Sequence, residues 1–69
     1  MTYNITYNVT VRRRLRRSTD YEHTVTAAMD TSSAEDLESS ALPIVEEHIR
    51  SQYGVSAESF SIISIEETN

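Results

Sequence analysis

Residues 3–11 read YNITYNVTV, in which apolar and polar side chains alternate without a break. Five β-branched or aromatic residues at a period of two are typical of a strand that buries one face. The same phase continues to Leu15, so we expect the strand to extend to about that residue and to carry arginines to a hairpin tip. The expected inward side consists of Tyr3, Ile5, Tyr7, Val9 and Val11, and the open side of Asn4, Thr6, Asn8 and Thr10.

Two further stretches have strand character. Residues 21–29 repeat the alternation, and residues 60–65 read FSIISI. The polar residues 16–20 are predicted to form the turn of a hairpin between the first two strands. The alternation of the third strand breaks at Ile62-Ile63. Either a bulge lies there, or Ile63 and Ile65 face away from the helix. The inward side of strand two is expected to hold Tyr21, His23, Val25, Ala27 and Met29.

A single helix is predicted between the second and third strands, because apolar residues recur there at helical spacing. Its start is expected at Ser32 or Ser33, where Ser32 with Glu35, or Ser33 with Asp36, fits a capping box. Gly54 is expected to end it in a left-handed conformation, with Val55 making the accompanying apolar contact. Proline in a helix interior removes a backbone hydrogen bond, so a kink is expected around residues 39–43, next to Pro43.

The predicted fold class is therefore α+β: one ββαβ domain spanning residues 1–69. Strand three is expected beside strand one, which gives a three-stranded sheet of antiparallel type in the order 2-1-3. One kinked helix covers one face of the sheet, and the other face stays open. The expected core consists of Ile5, Tyr7, Val9, Val25, Leu37, Ala41, Val45, Ile49, Phe60 and Ile62.

Length and composition exclude several classes of protein. The chain has 69 residues, no Cys and one Gly. It therefore has no disulfide, no thiolate metal site and no Gly-rich phosphate loop. The sequence shows neither an apolar run long enough to span a membrane nor a signal peptide, so we expect a soluble, cytoplasmic protein.

Charge divides the chain into two unequal parts. Residues 1–17 contain five of the six basic residues and no acid, whereas residues 18–69 contain Arg50 and all eleven acids. The arginines are expected to be solvated or paired with Asp20 and Glu22, to contact an acidic protein, or to bind nucleic acid. Arg12, Arg14 and Arg16 share the phase of the open face. The candidate partner-binding residues are Arg12, Arg13, Arg14, Arg16, Arg17, Thr10 and Asn8.

No cofactor, metal or catalytic residue is predicted. His23 and His48 are expected to meet between sheet and helix, but a metal would need further ligands and only carboxylates are available. No Ser lies in a Gly-x-Ser-x-Gly elbow, and the acidic pairs are adjacent on exposed surfaces. We therefore expect a protein that is not an enzyme.

The layout of this chain resembles that of very small ββαβ proteins carried by phages and mobile elements, some anti-CRISPR proteins among them. The resemblance rests on residues 25–27 (VTA), 33–38 (SAEDLE), 60–62 (FSI) and 65–67 (IEE). It covers nearly the whole chain in layout and spacing, and it transfers no functional residue. It implies a non-enzymatic phage-type inhibitor or adaptor that occludes the surface of a host nucleoprotein complex.

Three functions follow as expectations. The first is a protein-binding module of this inhibitor type. The alternative is a small nucleic-acid-binding module that uses the arginine hairpin and the Thr/Asn sheet face, although an RNA-reading sheet normally offers aromatic side chains there. The third is a self-associating subunit, a homodimer through strand three, because Ile63 and Ile65 would be exposed there and no Lys protects the strand edge.

Overall fold

The computed structural model describes residues 2–13, 17–30 and 33–68. Strands β1 (Thr2–Arg13) and β2 (Arg17–Ala28) precede the helix α1 (Ala34–Tyr53). A short 3-10 turn (Gly54–Ser56) leads into strand β3 (Ala57–Thr68). The long alternating stretches form the strands, and the change to helical spacing coincides with α1, as predicted.

The sheet has the predicted order β2-β1-β3, and β1 is antiparallel to both neighbours. Each strand is 12 residues long. Strand β2 begins earlier than predicted and ends at Ala28, and β3 extends beyond both of its predicted ends. The predicted continuation of strand one to about Leu15 lies outside the described residues beyond Arg13. The predicted turn at residues 16–20 is wrong for residues 17–20, which belong to β2 and pair with β1. Residue 16 lies outside the described residues.

The core lies between α1 and the inward side of β1. Tyr7, Val9 and Val45 have no exposed surface, and the predicted core residues Val25, Leu37, Phe60 and Ile62 are half-buried against this centre. The inward side of β2 is as predicted. The fully or almost fully buried apolar residues are Tyr3, Ile5, Tyr7, Val9, Val11, Met29, Ala41, Val45 and Ile49.

The helix is one unbroken element that contains Pro43, and the kink expected there stays a prediction. Ser33 occupies the N-cap position, but its side chain makes no capping hydrogen bond, so the capping box predicted with Asp36 is not formed. The alternative with Ser32 lies outside the described residues. Gly54 has the predicted positive φ of 60°, and its N–H donates to the Arg50 carbonyl. The predicted contact of Val55 is wrong, because Val55 is fully exposed.

Strand β3 contains two irregularities in its pairing with β1. The register shifts between Thr6 and Tyr7, which leaves Ile63 as an extra residue, and again between Thr10 and Val11, which leaves Glu58 as an extra residue. The first shift is the bulge predicted as one of two alternatives at Ile62-Ile63. It restores the phase, so that Ile65 packs against the core and Ile63 stays 54% exposed.

The molecule is elongated, with principal extents of 43 × 19 × 15 Å. The hairpin between β1 and β2 lies at one end of the long axis, because β1 and β2 continue to pair beyond the point where β3 begins. None of the described helices is both long enough and apolar enough to cross a membrane.

Candidate functional site

The basic residues that sequence analysis singled out lie at the hairpin end. The last pair between β1 and β3 is Val11 with Ala57, whereas β1 and β2 pair as far as Arg13 with Arg17. Arg12, Arg13 and Arg17 are therefore carried on a two-stranded ribbon beyond the third strand, and all three are exposed. We call Arg12, Arg13 and Arg17 the basic hairpin. The remaining predicted members, Arg14 and Arg16, lie outside the described residues.

The arginines of the basic hairpin have different surroundings. Arg12 Nε lies 3.5 Å from Glu58 Oε1, and the Arg12 side chain is 73% exposed. Ser18 Oγ donates to the same Glu58 oxygen at 2.8 Å. An exposed ion pair of this kind contributes about 0–1 kcal/mol. For Arg12 the predicted pairing with Asp20 or Glu22 is wrong, because the bulge at Glu58 brings that carboxylate to Arg12 instead.

Arg13 lies on the opposite side of the ribbon. It donates a hydrogen bond to the Tyr21 hydroxyl, and its guanidinium carbon is 5.5 Å from the centre of the Tyr21 ring. This cation–π geometry holds the charge near the aromatic surface without neutralising it. Among the described residues, Arg12 forms an ion pair with a carboxylate, whereas Arg13 and Arg17 do not.

The open face of the sheet carries hydroxyl, amide and carboxylate groups in cross-strand pairs. Thr26 donates to the Asn4 side chain at 2.7 Å, and Thr6 and Thr24 share a hydrogen bond of 3.1 Å. Thr10, one of the two candidate binding residues on this face, donates to Asp20 at 2.6 Å. The other, Asn8, is half-buried on the same face between Glu22 of β2 and Ser61 of β3. Thr10 and Asn8 are thus placed in an acidic surrounding.

The pairing registers place four carboxylates on this face, at Asp20, Glu22, Glu58 and Glu66. Among the described residues, Arg12 is the basic residue of the same face. Sequence analysis named the polar residues of strand one and missed the contribution of β3. No pattern in the sequence specified which register the two bulges would produce, so this part could not be found.

His23 and His48 meet between sheet and helix, as predicted, with ring centres 6.4 Å apart. Tyr7 Oη is hydrogen-bonded to His48 Nδ1, and His23 Nε2 is hydrogen-bonded to Tyr53 Oη. Tyr21 stacks on Tyr53 with ring centres 5.9 Å apart. We call these five residues the Tyr/His cluster. Sequence analysis missed Tyr53, although it follows Ile49 by four residues on the same helical stripe.

Burial raises the pKa of the Tyr7 phenol, and the nearby Tyr53 contributes a second, smaller part by Coulombic repulsion. The Tyr7 phenol therefore stays protonated and bound to His48 over the whole neutral range. No group of three or more metal-ligating side chains occurs among the described residues. The contacts that are present make the Tyr/His cluster a packing element that joins α1 to the β2 side of the sheet.

Two shallow pockets lie along the opposite flank of α1, next to β3. One of about 250 Å³ has an apolar floor of Ile49, Ala57 and Phe60. The other, of about 280 Å³, is lined by Leu37 and by residues 62–65. Both lie between α1 and the edge strand β3, and we call the two pockets together the groove.

Comparison with protein-family models, with curated proteins and with solved structures found no match to this chain.

Proposed function

We propose that the protein is a non-enzymatic protein-binding module whose basic hairpin contacts an acidic surface of its partner. The observation that carries this proposal is the position of Arg12, Arg13 and Arg17: they are exposed on a ribbon that extends beyond the rest of the sheet. Arg contacts carboxylates through a planar fork of donors, which suits an acidic protein surface.

The surroundings of the hairpin favour a protein over a nucleic acid. A nucleic-acid module would also use the Thr/Asn face, as expected for the alternative function. That face carries Asp20, Glu22, Glu58 and Glu66, which would repel phosphates laid along it. Cross-strand hydrogen bonds already engage Asn4, Thr6, Thr10, Thr24 and Thr26 on that face. The alternative function is therefore the weaker proposal.

The finer proposal follows the resemblance in layout. The chain acts as a phage-type inhibitor in the cytoplasm of a host cell, where it occludes the surface of a nucleoprotein complex. Occlusion requires only a rigid, exposed contact surface, and a short ribbon fixed by a 12-residue antiparallel pairing supplies one.

The test is capture of a partner from bacterial lysate, with and without nuclease treatment, by the wild-type chain and by an Arg12→Ala/Arg13→Ala/Arg17→Ala variant. Arg50→Ala, which removes the remaining described arginine from the helix, is the control. We expect the hairpin variant to lose the partner at unchanged far-UV circular dichroism, and the control to retain it. Equal capture by the hairpin variant would overturn the site. Capture that disappears after nuclease treatment would favour the nucleic-acid module instead.

A further inference from the structure

We propose that the outer edge of β3, together with the groove between β3 and α1, binds an extended segment of a partner protein that alternates basic and apolar residues. This surface is separate from the basic hairpin and selects the opposite charge. It therefore goes beyond the proposed function and can fail or succeed independently of it.

The backbone of β3 provides the first part of the argument. Within the described chain, β3 pairs with β1 on one side and with no strand on the other. A free edge of this kind accepts an extended segment as an added strand, whose main-chain hydrogen bonds provide affinity. The bulges at Glu58 and Ile63 limit the regular part to residues 59–62. We therefore expect a short segment, held between the bulges, rather than a long added strand.

The two pockets provide the second part. They lie at the two ends of this regular run, one beside Ala57 and Phe60 and the other beside Ile62 and Ile65. Residues four apart in a strand point to the same face and are separated by about 13 Å. Side chains from one face of an added strand would thus reach both pockets. Exposed apolar surface is available at the second pocket, whose lining includes Ile63, a residue that is 54% exposed.

Charge identifies the kind of segment. Glu38 lines one pocket, and Glu46 lines the other beside Arg50; Glu58, which also lines the second pocket, is already ion-paired with Arg12. An added segment with Lys or Arg near its apolar anchors would neutralise these carboxylates. An acidic segment would be repelled by them.

A second copy of this chain fits the edge less well than a basic segment. Strand β3 contains Glu58, Glu66 and Glu67 and no basic residue. Pairing β3 with β3 would bring two acidic strands together, and like charges on facing strands are destabilising. Of the two isoleucines on which the predicted homodimer depends, Ile65 is packed against the core. The homodimer through strand three stays a prediction. Of its two isoleucines, Ile63 is the exposed one that could contribute to the interface.

The probe is a short fluorescent peptide of alternating Val and Arg, compared with a Val/Glu peptide and a Ser/Arg peptide of equal length. We expect the Val/Arg peptide to bind most tightly, and to protect the amides of residues 59–62 from hydrogen exchange. The Ser/Arg peptide measures attraction by charge alone, and the Val/Glu peptide measures apolar contact against the acidic groove.

Two pairs of matched variants locate the site. Ile63→Lys adds a charge at the edge, and its control Ala28→Lys adds the same charge at an exposed position of β2. Glu38→Gln/Glu46→Gln removes two groove carboxylates, and Glu35→Gln/Glu47→Gln removes two others from the same helix. We expect the first member of each pair to weaken binding of the Val/Arg peptide about tenfold or more, which is a decisive loss of affinity. The controls should bind like the wild type.

Several results would overturn the proposal. One is equal binding by Ile63→Lys and Ala28→Lys at unchanged far-UV spectra. Others are tightest binding of the Val/Glu or Ser/Arg peptide, or protection at β2 instead of β3. Sedimentation equilibrium showing a dimer that Ile63→Lys dissociates would assign the edge to a second copy. Since Arg13 and Arg17 take no part, the Arg13→Ala/Arg17→Ala variant, which keeps the Arg12–Glu58 ion pair, should bind the Val/Arg peptide unchanged, whatever the fate of the proposed function.

Discussion

Tyr7 combines full burial with a polar group that has one partner, the imidazole of His48. Replacing it with Phe leaves His48 Nδ1 without that partner inside the fold. We expect Tyr7→Phe to lower the free energy of unfolding at pH 7 by about 1–3 kcal/mol, the cost of an unsatisfied buried group. Urea denaturation measures this difference. Ser61→Ala, which removes an exposed hydroxyl from β3, is the control.

Tyr7 also leads us to expect that the free energy of unfolding falls at alkaline pH. Its pKa is raised above the ordinary value of 10.0, first by burial and second by Tyr53. The unfolded chain therefore releases this proton before the folded chain does, and the free energy of unfolding falls as the pH rises from 10.0 through the folded pKa. Below pH 10.0 the contribution is fully present. We expect Tyr7→Phe to have a flatter stability profile above pH 10.0 than the wild type, and parallel profiles would contradict the assignment.

Val9 lies at the centre of the core with no exposed surface, whereas Leu37 is half-buried. A carboxylate at position 9 would be buried without a partner, which costs several kcal/mol. A domain of this size has a core worth roughly 3–5 kcal/mol. We expect Val9→Asp to abolish the cooperative thermal transition and Leu37→Asp to lower its midpoint. The control, Ser61→Asp on the open face, should melt like the wild type; a sharp wild-type-like transition of Val9→Asp would contradict the core assignment.

At the scale of the element, Pro43 is the exception within α1. It is the tenth residue of the helix. In the first turn a proline would cost no backbone hydrogen bond, but at this position its missing N–H removes one from the helix. It is exposed, so a substitution there changes little packing. We expect Pro43→Ala to raise the free energy of unfolding by about 1–3 kcal/mol by restoring a backbone hydrogen bond. A denaturant titration in which the variant is less stable would show that the proline fits a bend that the fold requires.

The strands show how far local patterns predict the fold. Alternation in residues 3–11 and 21–29 predicted the sidedness of β1 and β2 correctly, because one buried face fixes the phase. The polar residues 17–20 were assigned to a turn because they lack apolar signal, yet they pair with β1. Pairing with an already formed neighbour does not need apolar side chains. The position of Glu58 beside Arg12 could not be predicted, because it depends on a bulge whose signal is absent from the local sequence.

At the scale of the molecule, the candidate site was predicted in part. The clustering of the arginines is visible in the sequence, and so is the meeting of His23 with His48, which the structure confirms. The acidity of the open face is visible only in part: the alternation of residues 21–29 places Glu22 there, whereas Asp20 lies in the predicted turn and Glu58 and Glu66 lie outside the predicted third strand. A site assembled from three strands is defined by register, which sequence periodicity does not specify across strands.

Charge separation along the molecule predicts an unusual salt dependence for binding to an acidic partner. The chain has a net charge of −5, whereas its hairpin end is basic. At about 0.01 M salt the screening length is ~30 Å, comparable with the 43 Å long axis, so the whole negative charge opposes approach. At about 0.15 M it is ~8 Å, and the partner meets the basic hairpin alone.

We therefore expect the association rate constant for an acidic partner to rise and then fall as salt is increased, with its maximum at an intermediate concentration. Stopped-flow measurements over a salt series test this expectation. The Arg12→Ala/Arg13→Ala/Arg17→Ala variant serves as the comparison and should show only the rise. A rate that falls steadily from the lowest salt for the wild type would mean that the acidic body does not influence the approach.

The Tyr/His cluster also determines how this protein interacts with light. The chain has four Tyr and no Trp, so its ultraviolet emission comes from tyrosine alone. Tyr7, Tyr21 and Tyr53 belong to one cluster in which the rings stack or are hydrogen-bonded to imidazoles. Separation of α1 from the sheet would break the Tyr7–His48 and Tyr21–Tyr53 contacts at once. The emission intensity and the near-ultraviolet dichroism of the unlabelled protein thus follow the docking of its single helix.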